Sequence, residues 1–203
     1  MEVPYRPDNL IGAPLDHYMG RLKEADPNEI AARLDIPYED GKFTLEILGE
    51  KKTITFPTFD DEGWSDKYRI LFGRYLLEGK KADQFTGFAT YRELPWGEVY
   101  NEKFNQRCIM RLAGTYGFRP EVYQKACEAM GAKSVPGSGI SYEFKFMPNL
   151  YIRFILWEGD DEFPAASQIL FSNNFQDGFA GEDRVYCCEY ILGEMKKYLW
   201  SLR

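Results

Sequence analysis

The segment Trp157–Pro164 (W-E-G-D-D-E-F-P) contains the densest set of residues able to do chemistry. Four carboxylates fall within five positions, namely Glu158, Asp160, Asp161 and Glu162. Like charges this close repel one another, and hard divalent cations take oxygen ligands from such groups. The spacing differs from that of an EF-hand loop. The non-functional alternative is a solvated acidic turn. A turn that only adds solubility would not require the large apolar side chains of Trp157 and Phe163.

A second candidate is the segment Tyr91–Tyr100 (Y-R-E-L-P-W-G-E-V-Y), which we expect to be irregular. Arg92 and Trp96 supply guanidinium and indole N–H donors that could line a pocket. The commoner role for such a segment is a loop that its aromatic residues pin to the core. If the two segments meet in space, Arg92 would pair with Asp160 or Asp161 and hold the acidic loop in shape.

Other catalytic signatures are missing from the sequence. His17 is the single histidine, and there is no Gly-x-Ser-x-Gly elbow, phosphate-binding loop, HExxH or dinucleotide fingerprint. The four cysteines lack C-x-x-C spacing, and we expect them to be reduced and buried: Cys108, Cys127, Cys187 and Cys188. The sequence specifies no cofactor, and an enzyme is therefore the less favoured class.

Composition limits the partners. The 203 residues include 25 Lys and Arg against 32 Asp and Glu, for a formal charge of −7. The chain shows no basic cluster of the kind that phosphate contacts need, which argues against nucleic acid. The longest apolar run, around 154–157, is far shorter than a membrane span, and the first 14 residues contain no signal-peptide core. We therefore expect a cytoplasmic protein without a membrane partner.

The hydrophobic patterns predict an α+β fold, with an antiparallel or mixed β-sheet and helices packed on it. Residues 1–14 are expected to form an extended arm, followed by a single domain over residues 15–203. Helices are predicted near 16–25, after Asp26-Pro27, after Ser65, from Tyr100 or Asn101, from Pro120 and over 182–202. A hairpin is predicted over 43–56 with its turn at 49–51, and Ile140–Phe146 is expected to pair with Tyr151–Trp157. The continuously apolar end of the latter strand favours a place at the centre of the sheet, with a further strand over 167–171.

Several strings along the chain resemble a known family. They are Tyr75–Gly97 with its Y-R-E-L-P-W-G ending, then W-E-G-D-D-E-F-P, Ile169–Phe171 and Glu182-Asp183. The chain is similar here to the prokaryotic family named domain of unknown function 3786, over roughly residues 15–200. The resemblance implies no particular activity. Some members are joined to iron–sulfur domains, but this chain lacks the cysteine spacing of a cluster site. Ser172 stands where the resemblance leads us to expect Asp.

Three functions remain open. The leading hypothesis is a binding or accessory protein whose ligand is small and polar or cationic. Its site would lie near the acidic loop and contain Arg92, Trp96, Trp157, Glu158, Asp160, Asp161 and Glu162. The second is a metal-assisted hydrolase or transferase that takes its metal ligands from those four carboxylates. The third is a structural or protein-interaction module, with a homodimer as one form.

Overall fold

The computed structural model describes residues 12–61 and 63–201. The helices are α1 Gly12–Glu24, α2 Pro27–Leu34, α3 Asp66–Glu78, α4 Gly97–Phe104, α5 Met110–Tyr116, α6 Pro120–Ala129 and α7 Asp183–Ser201. The strands are β1 Tyr38–Glu39, β2 Lys42–Ile47, β3 Glu50–Thr55, β4 Phe88–Thr90, β5 Lys133–Ser134, β6 Ile140–Met147, β7 Leu150–Trp157 and β8 Ala166–Ser172. This architecture confirms the α+β class. None of the helices within the described ranges has both the length and the apolar character needed to cross a bilayer.

The chain divides into two compact units. The first comprises the described residues up to Leu45 together with Lys51–Lys81. Its helix α2 begins as the sequence predicts, because the Asp26 carboxylate accepts the Asn28 amide at 2.8 Å and Pro27 occupies the first helical position. Strands β1, β2 and β3 follow one another in an antiparallel order typical of short hairpins.

The second unit comprises Glu46–Glu50, at the tip of the β2–β3 hairpin, and the chain from Ala82 onward. Its five-stranded sheet has the order β4-β8-β7-β6-β5, and all four pairs of neighbouring strands are antiparallel. The apolar strand β7 lies at the centre, as predicted, because a continuous apolar run needs cover on both faces of the sheet. Phenylalanines of the sheet and of the following loop form much of the core, among them Phe146, Phe171, Phe175 and Phe179.

Several predicted boundaries are wrong. Helix α1 begins at Gly12 rather than at residue 16, since Pro14 falls in the first turn, where no amide donor is needed. The rest of the expected arm, residues 1–11, lies outside the described residues, and the single domain over 15–203 stays a prediction. The hairpin turns at Leu48 and Gly49, with φ values of +52° and +80°, so β3 begins at Glu50.

Candidate functional site

The acidic loop is a turn closed on its own backbone. One carboxylate oxygen of Asp160 accepts the amides of Glu162 at 2.9 Å and Phe163 at 2.7 Å. The Asp160 amide in turn donates to the Phe163 carbonyl at 2.9 Å. The hydrogen bonds from the Phe163 and Glu162 amides lower the pKa of Asp160 below its ordinary value. All four carboxylate residues of the loop are exposed, so water already solvates these charges.

Both ends of this loop are fixed by contacts with other segments. The Trp157 indole donates to the Ser138 carbonyl at 3.0 Å, and the Gly159 amide donates to the Gly117 carbonyl at 3.0 Å. A Cβ at Gly159 would lie 2.8 Å from the ring of Phe118, so the ring rests directly on the loop backbone. The aromatic frame noted in the sequence therefore fixes the loop without covering its carboxylates.

The loop carboxylates do not form a metal centre. Among the described residues, no three His, Cys, Asp or Glu side chains are arranged to hold a metal ion. The metal-assisted hydrolase or transferase stays a prediction from the sequence.

Arg92 has a different partner from the one expected. Its Nε and Nη2 donate to the two carboxylate oxygens of Glu98 at 2.5 and 2.9 Å. Both side chains are exposed, and Glu98 lies in the first turn of α4, six residues away. The predicted pairing of Arg92 with Asp160 or Asp161 is wrong, because a nearer carboxylate matches the guanidinium fork.

The segment from Tyr91 is irregular only in part. Tyr91–Glu93 forms a single 3₁₀ turn, residues 94–96 are irregular, and α4 begins at Gly97 rather than at Tyr100 or Asn101. A Cβ at Gly97 would lie 1.8 Å from the Tyr91 carbonyl oxygen, so only glycine allows this close approach. Trp96 precedes it with φ +67°, a backbone conformation that bulky residues rarely adopt, and is 45% exposed.

The residues that most deserve a functional explanation lie where this segment meets the start of α7. We call Tyr91, Arg107, Glu182, Asp183 and Arg184 the buried charge cluster. Arg184 is completely buried, and Glu182 and Asp183 are only 5% and 4% exposed. Fully buried ionised side chains are rare in proteins unless they are paired.

Arg184 is only partly satisfied by the protein. Its Nη2 donates to the Pro95 carbonyl, and its guanidinium lies 5.0 Å from the centre of the Tyr91 ring. Its Nε and Nη1 are buried and have no partner at normal hydrogen-bond geometry, although the Tyr91 hydroxyl and the Asp183 carboxylate lie near enough to favour its charged form. Burial lowers the pKa of Arg184 and raises that of Tyr91, whose hydroxyl donates to the Gly181 carbonyl at 3.0 Å. The Arg184 guanidinium is therefore held, with two N–H groups unpaired, in a buried region that disfavours its charged form.

The Glu182 carboxylate is also only partly hydrogen-bonded. Its Oε1 accepts Nη1 of Arg107 at 2.9 Å, whereas its buried Oε2 has no hydrogen-bond partner. The Nε of Arg107 also donates to Glu189 at 2.9 Å. Arg107 lies in a single π-helical turn, 105–109, between α4 and α5, and such turns are frequent at functional sites.

Only part of this cluster stands out in the sequence. Glu182-Asp183 is one of the strings that carry the family resemblance, whereas nothing in the sequence marks Arg107 or Arg184 as site residues. One sequence signal could have indicated that Arg184 is buried. This residue is followed by apolar residues on more than one face of α7, and Val185, Cys187 and Cys188 are all buried in the structure. The four cysteines form no disulfide and are buried, as predicted.

The structure thus has an antiparallel α+β sheet domain with a pair of partly satisfied, buried opposite charges at the start of its last helix. The family model named Domain of unknown function (DUF3786) matches residues 26–194, and the chain belongs to that family. This match confirms the resemblance seen in the sequence and includes the whole buried charge cluster. No curated protein and no solved structure matches the chain.

Proposed function

We propose that this protein binds a small polar ligand at the buried charge cluster. The observation that carries the proposal is the set of unpaired polar atoms on fully or almost fully buried side chains, Nε and Nη1 of Arg184 and Oε2 of Glu182. Each buried polar atom without a partner costs about 1–3 kcal/mol, and charged groups cost more. A ligand with both acceptor and donor atoms would satisfy them, whereas ordered water is the alternative occupant.

The two kinds of unpaired atom favour a ligand that carries both a donor and an acceptor group. An ammonium or amidinium group would donate to Oε2 of Glu182, while a neutral or anionic acceptor on the same ligand would accept from Nε and Nη1 of Arg184.

Trp96 supports a binding role for this region. Its Cβ lies 3.9 Å from the position that a Cβ would take at Gly181, immediately before the cluster. A bulky residue held at positive φ is backbone strain of the kind that concentrates at ligand sites. An indole that is almost half exposed offers an aromatic face to a cationic ligand. The site residues predicted on the acidic loop stay a separate prediction.

The experiment is a thermal-shift screen of small amines, amino acids, amides and carboxylic acids against the full chain, with native mass spectrometry for co-purified molecules. Glu182→Gln is the test variant, and the double variant Asp160→Asn, Asp161→Asn is the matched control on the acidic loop. A compound whose shift is lost in Glu182→Gln and kept in the double variant supports the cluster. The opposite pattern moves the site to the acidic loop. No shift with any compound, and no co-purified molecule, would contradict ligand binding.

A protein-interaction module is the second candidate, because two aromatic side chains flank the acidic loop in the open. Phe118 is 66% exposed and Phe163 is 67% exposed, although rings of this size are usually well covered. A second copy of the chain or another protein could cover them. Analytical ultracentrifugation of the wild type and of Phe118→Ser tests this candidate: a dimer that the substitution dissociates supports self-association, and a monomer at all concentrations rules out the homodimer.

A further inference from the structure

A groove in the second unit lies between the tip of the β2–β3 hairpin and the last turns of α7. Its volume is about 610 Å³, within the range of small-molecule sites. The residues that line it from α7 are Tyr190, Glu194, Lys197 and Tyr198. They follow at intervals of four, three and one, so they lie on one continuous helical face. None of the lining residues belongs to the buried charge cluster, so the groove is a separate feature of the molecule.

The other walls of the groove are mainly apolar. Ile47 and Leu48 line it from the hairpin, and Ala129 and Met130 line it from the end of α6. The Leu48 amide donates to the Phe146 carbonyl at 3.0 Å, which ties the hairpin turn to strand β6. Leu48 has φ +52°, at a turn position where Asn, Asp or Gly is usual. An apolar side chain is therefore kept on the groove wall at a position where a leucine strains the backbone.

The charged side chains of the lining already have partners. The Lys197 ammonium donates to the Glu194 carboxylate at 2.7 Å, and Glu50 has an interaction of its own. A cationic ligand would therefore compete with Lys197 for Glu194, and an anionic ligand would compete with Glu194 for Lys197. A charged group that loses water without gaining a counter-charge raises the free energy of the complex, whereas an uncharged group does so much less. The charges of the lining thus favour an uncharged ligand.

We propose that this groove is a second binding site, for an uncharged molecule that is mainly apolar and contains an aromatic ring. The ring packs against Leu48, Met130 and Tyr198, because aliphatic, thioether and aromatic side chains all make favourable contacts with aromatic rings. This inference goes beyond the ligand proposed for the buried charge cluster, which is polar. The two sites share no residue and can be tested separately.

The experiment uses three probes that share one aromatic body and differ in charge: 2-naphthalenemethanol, 2-naphthalenemethylamine and 2-naphthoate. Each is titrated into the isotope-labelled full chain, and binding is followed by NMR shifts of backbone amides. We expect the alcohol to bind about fivefold more tightly than either charged probe, because only the charged probes lose hydration without gaining a counter-charge. Its shifts should map to residues 47–50 and 129–131.

Two matched pairs of variants test the apolar wall and the paired charges. Met130→Ser removes an apolar wall and should weaken binding of the alcohol about fivefold, whereas Met110→Ser changes an exposed methionine outside the groove and should not. Lys197→Gln releases Glu194 from its ion pair and should tighten binding of the amine about threefold without changing that of the alcohol. Lys196→Gln removes the same charge one position away, off the groove lining, and should change neither.

Two further variants separate binding at the groove from folding and from the first site. Leu48→Asn places a residue that suits positive φ in the turn, so the urea midpoint should not fall while binding of the alcohol weakens. Glu182→Gln should leave binding of the alcohol unchanged, so failure of this proposal and failure of the buried charge cluster are distinguishable. Tightest binding by a charged probe, equal binding of all three, no amide shifts at the groove, or equal effects within either matched pair would overturn the proposal.

Discussion

Replacing Arg107 with glutamine measures how deeply the charge cluster is buried. In the native structure Arg107 bonds Glu182 and Glu189, whose side chains are 4% and 11% exposed, while its own side chain is 31% exposed. Removing one partner of a buried ion pair costs about 3–5 kcal/mol, because the other charge is left without compensation. We expect about 3 kcal/mol, at the lower end of that range, since Arg107 is partly exposed and glutamine can keep one hydrogen bond.

The matched control is Arg92→Gln. Arg92 makes the same kind of paired contact with Glu98, but the two side chains are 64% and 69% exposed. Exposed ion pairs contribute little to stability, so this variant should unfold like the wild type. Urea denaturation at pH 7 gives the free energy of unfolding of each variant, provided that fluorescence and circular dichroism report one common transition.

One further measurement makes the interpretation specific. Adding Glu182→Gln to Arg107→Gln removes the uncompensated carboxylate and should recover a large part of the lost stability. If Arg107→Gln costs no more than Arg92→Gln, or if the second substitution adds further loss, the reasoning from burial is wrong.

The remaining predictions concern backbone fit, a buried hydroxyl and acid stability. Gly97→Ala should lower the free energy of unfolding by more than about 2 kcal/mol, because the added Cβ would lie 1.8 Å from the Tyr91 carbonyl oxygen. Gly114→Ala should raise it by about 0.5–1 kcal/mol, because no atom lies within 4 Å of a Cβ at this position in helix α5. Equal urea midpoints for the two variants would contradict both expectations. Tyr91→Phe should cost about 1–2 kcal/mol by the same assay, since the Gly181 carbonyl loses its buried donor, and an unchanged midpoint would show that water replaces it. The pKa of Asp61 is lowered because hydrogen bonds from β3 outweigh the effect of burial. A lowered folded-state pKa contributes stability above the unfolded value of about 3.9, and this stability is lost as the pH falls through the folded value. Asp61→Asn should therefore flatten the decline in stability between pH 5 and pH 2, and an unchanged slope would refute the assignment.

A buried charge with too few hydrogen bonds lowers the free energy of unfolding. Selection for stability alone would therefore replace such a residue. Well-packed apolar residues in place of a buried ion pair are often neutral or stabilising. Arg184, completely buried with two unpaired nitrogens, is the clearest case in this chain. A ligand that binds only the folded state would stabilise it by mass action. Ligand binding at the cluster would therefore offset the loss of stability that its unpaired polar atoms cause.

The sequence by itself determined the features that depend on neighbouring residues. Asp26-Pro27 begins a helix because a carboxylate and a fixed φ suit that position, and Tyr151–Trp157 lies at the centre of the sheet because its apolar run needs cover on both faces. The Asp160 turn is also local, since its hydrogen bonds span two and three residues. Hydrophobic period and capping chemistry specify such features directly.

Only the tertiary structure decided which charges are buried and which face water. The acidic loop looked like the stronger site in the sequence, yet its carboxylates are exposed, while Glu182 and Arg184 are buried. The contacts that make the difference join Arg107 to residues 75 and 82 positions away. The spacing of residues along the chain encodes contacts within one helix or hairpin, whereas pairing over such separations depends on how the elements pack, and no local pattern records it.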